Sequence, residues 1–131
     1  EEGLRSFGSR LRRVVLCSSI YGQNVPNPTL YENGLAESPM QYGIAKVGVE
    51  KLCKEYAVRL KQLGCSVNVV SYGGVRGRVS DEFELKYKAL NGFSDMLDVR
   101  QCIGPIKFLL SHDSSGITGH VLNVDNGYGL V

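Results

Sequence analysis

With 131 residues, of which 43% are hydrophobic and 21% charged, the chain has enough apolar side chains for the core of one globular domain. Its formal net charge of +2 gives no general attraction for nucleic acid or for an anionic membrane, so we expect neither as a partner. No apolar stretch approaches the roughly 20 residues that a membrane-spanning helix needs.

The first predicted element is a strand that leads into a long loop. Residues 12–19, RRVVLCSS, form a short apolar run between basic and small polar residues, which is typical of a buried parallel strand. Residues 20–38 are rich in Asn, Pro and Gly and have no periodicity, so they predict a loop. A loop of this length in a compact domain is usually functional or mobile.

The clearest helix start follows this loop. Ser38 can act as the N-cap, Pro39 suits the first helical position, and Gln41 completes a capping-box pattern with the serine. Apolar residues then recur at steps of three, four and one over 45–63, which predicts one broad apolar face. Gly64 lies where a helix commonly has its C′ glycine, so the helix is expected to end just before it.

The remainder of the chain alternates strand and helix signals. In order, these are the strand SVNVVSY (66–72), a helix opened by Asp81 with Glu84, a helix opened by Asp98 with Gln101 that contains Pro105, the strand HVLNV (120–124) and the turn at 125–127. Strands that alternate with helices indicate an α/β fold with a parallel sheet.

The cysteines and the N-terminus both indicate a cytoplasmic protein. No CxxC pair occurs and neither histidine is near a cysteine in sequence, so we expect reduced core thiols rather than disulfides or zinc ligands, and no metal site. The N-terminal segment EEGLRSFGSR lacks the apolar stretch of a secretory signal. The four cysteines are Cys17, Cys53, Cys65 and Cys102.

Tyr42 and Lys46 lie four residues apart on the predicted long helix, and therefore on the same face of it. A free tyrosine loses its proton only near pH 10 and is a poor acid or base at neutral pH. A buried cation within about 4–6 Å can shift such a group by one to three pH units. The spacing suits a proton-transfer pair, but by itself it is weak evidence and is more often that of a surface lysine beside a half-buried tyrosine.

Four segments, in this order along the chain, resemble the short-chain dehydrogenase/reductase family. They are VVLCSS with Ser19 at the catalytic serine position, YGIAK at the YxxxK position, SVNVVSYGGV and ITGHVLNVDNGY. The resemblance implies a Rossmann-like, doubly wound parallel sheet within a single domain. Residues 1–131 would form only the C-terminal half of that domain, with about three strands plus helices.

The same resemblance implies an NAD(P)-dependent oxidoreductase that interconverts a carbonyl and a secondary alcohol by hydride transfer. Tyr42 would be the proton donor or acceptor, Lys46 would lower the pKa of Tyr42 and bind the nicotinamide ribose, and Ser19 would orient the substrate. The main chain at Gly73 and Val75 would border the nicotinamide of NAD or NADP.

The chain departs from the family pattern at several positions. Tyr72 stands where proline is usual, and Arg76 interrupts the stretch that leads to a threonine near the carboxamide. About ten additional residues lie within QNVPNPTLYENG (23–34), an arrangement similar to reductases of bacterial surface-sugar and nonulosonic-acid pathways. One hypothesis is that this segment serves the recognition of a sugar or nucleotide-sugar substrate. The other is that it is a surface insertion without contacts. Arg76 and Arg78 would either grip a substrate phosphate or be solvated, and Tyr21 would either contact substrate or only pack.

Part of the family pattern is absent from the sequence. Neither the early TGxxxGxG turn nor the NNAG-type strand end occurs, and Gly3 and Gly8 follow no strand. The chain is therefore expected to be a fragment of a complete NAD(P)-dependent reductase, and to carry the residues of its proton relay. The alternative is a truncated, non-catalytic module that retains only oligomerisation surfaces. The resemblance also implies a homo-oligomer, a dimer or tetramer, in which the tyrosine-bearing helix packs against its counterpart.

Overall fold

The computed structural model describes residues 11–34, 38–91 and 95–130. Three parallel strands lie side by side in chain order, which confirms the predicted strands to within a residue. They are β1 (Arg13–Ser19), β2 (Ser66–Tyr72) and β3 (Val121–Val124). β2 is the central strand and five of its seven residues are buried, as expected for a continuous apolar run in a parallel sheet.

Helices cover both faces of this sheet. They are α1 (Met40–Arg59), α2 (Asp81–Asn91) and α3 (Val99–Leu110). Val67 and Val69 of β2 pack in one cluster with α1, whereas Tyr72 donates a hydrogen bond to α3. Because successive strand residues point to opposite faces, α1 and α3 lie on opposite sides of the sheet. The Rossmann-like α/β class is confirmed, and no helix of the described ranges has the length and apolar character to cross a membrane.

Helix α1 begins without the predicted capping box. Pro39 is its N-cap residue, with φ −59° and ψ 129°, and no side chain caps the helix. Ser38 therefore lies one position too early to reach the first turn. The predicted helix start at Asp98 with Gln101 is confirmed, and there the structure shows a capping box: Asp98 Oδ1 accepts from Arg100 N at 2.8 Å and Gln101 Oε1 accepts from Asp98 N at 2.8 Å.

The predicted apolar face is confirmed for most of its residues, because six of the eight pack in the cluster between α1 and the sheet: Val49, Cys53, Tyr56, Ala57, Leu60 and Leu63. Cys53 is buried against the sheet, but Leu52, which was placed on the same face, is 44% exposed. Further apolar residues occupy the opposite side of the helix, so α1 is not amphipathic in the simple sense. We call these exposed residues the outer stripe, and they are Met40, Ile44, Val47 and Val58.

Two clusters of buried side chains hold the layers together. The first, between α1 and the sheet, consists of Cys53, Leu60, Cys65, Val67 and Val69. The second, near the carboxyl ends of the strands, consists of Ile20, Leu30, Tyr87, Met96 and Tyr128. The predicted long loop contributes to the second cluster, because it forms short 3-10 turns at Ile20–Gly22 and Pro28–Leu30.

The four cysteines are free thiols. Cys53 and Cys65 are buried as predicted, whereas Cys102 is half-buried and Cys17 is exposed, so the prediction of a core position is wrong for Cys17. Leu16 packs toward α1, so Cys17 faces the other side of β1, where the described residues leave it uncovered. No group of three His, Cys, Asp or Glu side chains that could hold a metal occurs within the described ranges.

Candidate active site

A cavity of about 440 Å³ lies where the carboxyl ends of β1 and β2 meet the N-terminus of α1. Four of the five predicted site residues line it: Ser19, Tyr42, Gly73 and Val75. In open parallel sheets, ligands bind beyond the carboxyl ends of the strands, and this volume is within the usual range for ligand sites. The fold thus brings together residues that are up to 56 positions apart in the sequence, from Ser19 to Val75.

Tyr42 and Lys46 lie on the same side of α1, as their spacing predicted. Lys46 Nζ is 5.3 Å from the centroid of the Tyr42 ring, a distance typical of a cation–π contact. The ammonium also donates to the carbonyl oxygen of Cys17 at 3.5 Å, near the end of β1. Lys46 is half-buried and Tyr42 is 47% exposed, so the lysine is directed inward and the tyrosine opens to the cavity.

Ser19 is the last residue of β1 and is half-buried. Its Oγ accepts a hydrogen bond from Tyr21 N at 3.3 Å and thereby caps the following 3-10 turn. A hydroxyl that accepts in this way still has its own O–H to donate. The capping contact therefore holds the oxygen in place beside the cavity and leaves the proton for a ligand oxygen.

A polar network fixes α1 against the strand ends. Ser18 is buried, and its Oγ lies 3.3 Å from both the Lys46 carbonyl oxygen and Glu50 Oε1. Gln23 Nε2 donates to Glu50 Oε1 at 3.1 Å, and Gln23 and Asn123 exchange two hydrogen bonds of 3.1 and 2.9 Å. The network joins β1, α1 and β3, so it restricts the rotation of the helix that carries Lys46.

Two glycines allow α1 to lie close to the 3-10 turn after β1. A Cβ atom on Gly43 would be 2.9 Å from the Tyr21 carbonyl oxygen. A Cβ atom on Gly22 would be 3.0 Å from both Glu50 Oε1 and the Lys46 carbonyl carbon. A larger residue at either position would push these atoms apart, so the two glycines determine how closely the helix packs against the turn.

The glycine after β2 is explained by packing within the protein. Gly73 N donates to Val124 O at 2.9 Å, and a Cβ atom on Gly73 would be 2.8 Å from Asp125 Cα. Val75 forms an isolated parallel bridge with Leu97, which holds this segment in place beyond the strand. Gly73 and Val75 line the cavity, which is compatible with the predicted position of their main chain beside a nicotinamide. That role stays a prediction.

Aromatic residues form much of the cavity wall, and for most of them no sequence pattern indicated this position. The Tyr21 and Tyr31 hydroxyl oxygens are 2.7 Å apart, and the Tyr31 ring meets Phe83 edge-on with centroids 5.5 Å apart. Tyr21 meets Tyr42 edge-on at 6.4 Å, so it both packs and lines the cavity. Tyr87 also lines the cavity, and burial raises the pKa of its phenol to about 12.

The additional segment 23–34 is not a surface insertion without contacts. Leu30 is only 2% exposed and belongs to the buried cluster beside the site, and Tyr31 lines the cavity. Asn27 caps the second 3-10 turn by accepting from Thr29 N at 3.0 Å. The additional length of the segment indicated that this region differs from the common family pattern. Its sequence has no periodicity that would have identified Leu30 as buried.

The arginines and the substituted proline position have local explanations. Arg76 forms ion pairs with Asp95 at 2.8 Å and with Glu84 at 3.4 Å, so it is neither simply solvated nor free to grip a phosphate. The Tyr72 hydroxyl donates to the Cys102 carbonyl oxygen at 2.6 Å and ties β2 to α3. Its partial burial raises the pKa of Tyr72 to about 12.

The described residues fit the nicotinamide end of a dinucleotide. The Lys46 ammonium has N–H groups beyond the one it directs to Cys17, and these suit ribose hydroxyls. The neighbouring cavity presents Tyr42, Ser19 and the main chain of Gly73 to a flat ring.

Comparison with known proteins agrees with this geometry. A family model described as Enoyl-(Acyl carrier protein) reductase matches residues 22–129. The chain is 33% identical over 126 residues to Post-translational flagellin modification protein A of Campylobacter coli, a match that covers 96% of this chain and 48% of that protein. It is 32% identical over 97 residues to 7alpha-hydroxysteroid dehydrogenase of Paraclostridium sordellii, covering 68% of this chain and 36% of that protein.

A solved structure shows the same architecture. The short chain dehydrogenase from Leptospira borgpetersenii serovar Hardjo-bovis with bound NAD+ has a TM-score of 0.81 and 27% identity, covering 89% of this chain and 44% of that one. The chain therefore spans less than half the length of each of these three relatives. Since both the sequence matches and the fold agree with the cavity described above, this chain belongs to the short-chain dehydrogenase/reductase family.

Proposed function

We propose that this chain carries the proton-transfer residues of an NAD(P)-dependent oxidoreductase that interconverts a carbonyl and a secondary alcohol. The observation that carries the proposal is the position of Lys46 Nζ, 5.3 Å from the centre of the Tyr42 ring. Tyr42 borders a cavity that Ser19 also lines. A nicotinamide bound there would supply or accept the hydride.

Each residue has a defined part in the proton movement. In reduction, the Tyr42 phenol gives its proton to the substrate oxygen as the carbonyl carbon gains hydride; in oxidation the proton returns to the phenolate. Ser19 donates a hydrogen bond to the same oxygen and offsets its developing negative charge. The Lys46 ammonium stabilises the phenolate, and its remaining N–H groups bind the ribose hydroxyls.

Two relatives support the finer parts of the proposal. The likeness to a protein named for flagellin modification supports a sugar or nucleotide-sugar as substrate. The related short chain dehydrogenase with bound NAD+ supports a nicotinamide cofactor, NAD or NADP. The free thiols suit a cytoplasmic location, because cytoplasmic proteins keep their cysteines reduced.

The direct test is Tyr42→Phe in the product of the complete reading frame. Loss of the phenol proton should lower kcat by about 10²- to 10⁴-fold, while NADH binding, followed by its fluorescence, should change little. Tyr56→Phe is the matched control, because this tyrosine lies on the same helix but packs in the cluster between α1 and the sheet. A Tyr42→Phe enzyme that keeps most of its rate would show that the tyrosine is structural.

The outer stripe of α1 favours a second function, an interaction surface for another copy of the chain. Ile44 is 62% exposed and Val58 is 76% exposed. Met40, Ile44 and Val47 follow one another within about two helical turns, and exposed apolar residues grouped in this way mark a contact surface more often than a solvated face. This surface is compatible with either a catalytic oligomer or a non-catalytic module.

A further inference from the structure

We propose that the Tyr21–Tyr31 hydroxyl pair is a recognition site for a hydroxyl group on an uncharged, cyclic carbonyl substrate. The proposal rests on the proposed function, because it assigns substrate chemistry to the same cavity. It narrows what that function leaves open, because an uncharged substrate favours a sugar over a nucleotide-sugar, whose phosphates are charged.

The pair lies next to the proposed reacting centre. The Tyr21 ring meets the Tyr42 ring edge-on, with centroids 6.4 Å apart and planes at 85°. Tyr21 is also tied directly to Ser19, through the hydrogen bond from its backbone nitrogen. A hydroxyl near the reacting carbonyl of a ring would therefore lie within reach of the pair while the carbonyl oxygen meets Tyr42 and Ser19.

The hydroxyl pair offers complementary donors and acceptors. The oxygens of Tyr21 and Tyr31 are 2.7 Å apart, and either can be the donor. This contact uses one of the two O–H groups, so the other O–H and the oxygen lone pairs can bind an alcohol, which itself both donates and accepts. Burial and the hydrogen bond to Tyr31 raise the pKa of Tyr21 well above its ordinary value, so the Tyr21 phenol keeps its proton at physiological pH.

The rest of the cavity selects against charge. None of its described lining residues is Lys, Arg, Asp, Glu or His. Its walls are formed mainly by aromatic rings, including Phe83 and Tyr87, and by aliphatic side chains. Burying an ionised group among such residues without a partner is costly, whereas the flat face of a ring packs well against aromatic walls.

A groove beside this cavity is lined by charged residues, including Arg76, Glu84, Lys88 and Asp95. These charges already pair with each other. Asp95 accepts from Arg76 at 2.8 Å and from Lys88 at 3.0 Å, and Glu84 lies 3.4 Å from Arg76. These cations are therefore engaged by carboxylates of the protein. Arg76 and Lys88 are therefore not available as free cations for an acidic substituent of the substrate.

The recognition pair is held rigidly. Leu30 is buried immediately before Tyr31, and the Tyr31 ring packs edge-on against Phe83 of α2. Tyr21 is held by its place in the 3-10 turn after β1. Groups that are fixed before binding lose little conformational entropy, so their hydrogen bonds contribute more fully to discrimination.

The test compares three probes of similar size: cyclohexanone, a hydroxycyclohexanone and an oxocyclohexanecarboxylate. Their Kd values are measured by ligand-observed NMR on the product of the complete reading frame, loaded with NAD(P), so the readout does not depend on turnover. We expect the hydroxylated ketone to bind about 10- to 100-fold more tightly than cyclohexanone, and the carboxylate to bind most weakly. Tyr31→Phe should remove most of the hydroxyl preference and leave cyclohexanone binding unchanged.

Tyr128→Phe is the matched control, because Tyr128 belongs to the same buried cluster but does not line the cavity. It should retain the hydroxyl preference. Equal binding of hydroxylated and unsubstituted ketone by the unmodified protein would overturn the proposal, as would tighter binding of the carboxylate or equal weakening of both ketones by Tyr31→Phe. If the hydroxyl preference is found but Tyr42→Phe does not slow turnover, the recognition site stands and the proposed function fails.

Discussion

The two sides of helix α1 differ in chemistry although the same run of sequence forms both. The inner side directs Lys46 to the end of β1, places Glu50 in a polar network and buries Cys53 against the sheet. The outer side leaves the residues of the outer stripe between 51% and 79% exposed. The comparison teaches that apolar periodicity alone cannot distinguish a core face from a contact face, because both are rich in the same residue types.

The largest expected effect comes from the inner side. Lys46→Met keeps most of the side-chain volume but removes the cation beside Tyr42, so we expect kcat/KM to fall by at least about 10²-fold. NADH binding should weaken as well, since the ribose would lose its donor. Lys54→Met is the control, because Lys54 is an exposed lysine of the same helix. Equal activity of the two variants would mean that the position of Lys46 has no chemical role.

The outer side should respond in assembly rather than in chemistry. The double substitution Ile44→Lys and Val47→Lys places two charges in the outer stripe, and we expect an oligomer to dissociate into smaller species. Molar mass from light scattering after gel filtration measures this. Leu85→Lys is the control, because Leu85 is 68% exposed on α2, away from the stripe. An unchanged mass in the double variant would remove the stripe as a contact surface.

Two glycines of α1 give a matched pair for the same comparison. A Cβ atom at Gly43 would lie 2.9 Å from the Tyr21 carbonyl oxygen, whereas one at Gly48 would meet nothing within 4 Å. We expect Gly43→Ala to lower the free energy of unfolding by about 1–3 kcal/mol and to reduce activity. Gly48→Ala should raise it by about 0.5–1 kcal/mol, because alanine is the better helix former. Urea unfolding of both variants measures the difference, and equal effects would contradict the close inner contact.

The smallest expected effect is an alkaline loss of stability near the cavity. The pKa of Tyr87 is raised by burial from 10.0 to about 12, so the folded state holds this proton more tightly than the unfolded chain. Its contribution is present below pH 10 and is lost as the pH rises from 10 toward 12. Burial also raises the pKa values of Tyr21 and Tyr128, which adds to the same slope. Unfolding curves across this pH range should show a decline that Tyr87→Phe makes shallower.

The strands and most helix bounds could be predicted because they depend on local signals. A buried parallel strand is a continuous apolar run, and the capping box at Asp98 and Gln101 needs only its own four residues. The equally plausible box at Ser38 failed because Pro39 takes the N-cap position and shifts the helix start by one residue. A cap depends on the backbone angle at one residue, and sequence patterns determine that angle poorly.

The candidate site was only partly predictable. Ser19, Tyr42 and Lys46 could be predicted because they lie in segments that match motifs of the family. The structure brings the three residues together. The contact between Tyr21 and Tyr31 could not be identified, since nothing periodic relates two residues ten positions apart in a turn-rich segment. Such contacts depend on how a segment packs against distant elements, which no local pattern records.

The segment between β1 and α1 has consequences for engineering. Ile20 and Leu30 anchor it in the core, whereas Val25 at its tip is 81% exposed. Residues 24–26 can therefore be substituted while Ile20 and Leu30 keep the rest of the segment in place. Libraries that vary this tip should leave the stability of the fold largely unchanged, which makes the segment a natural starting point for directed evolution of the proposed activity.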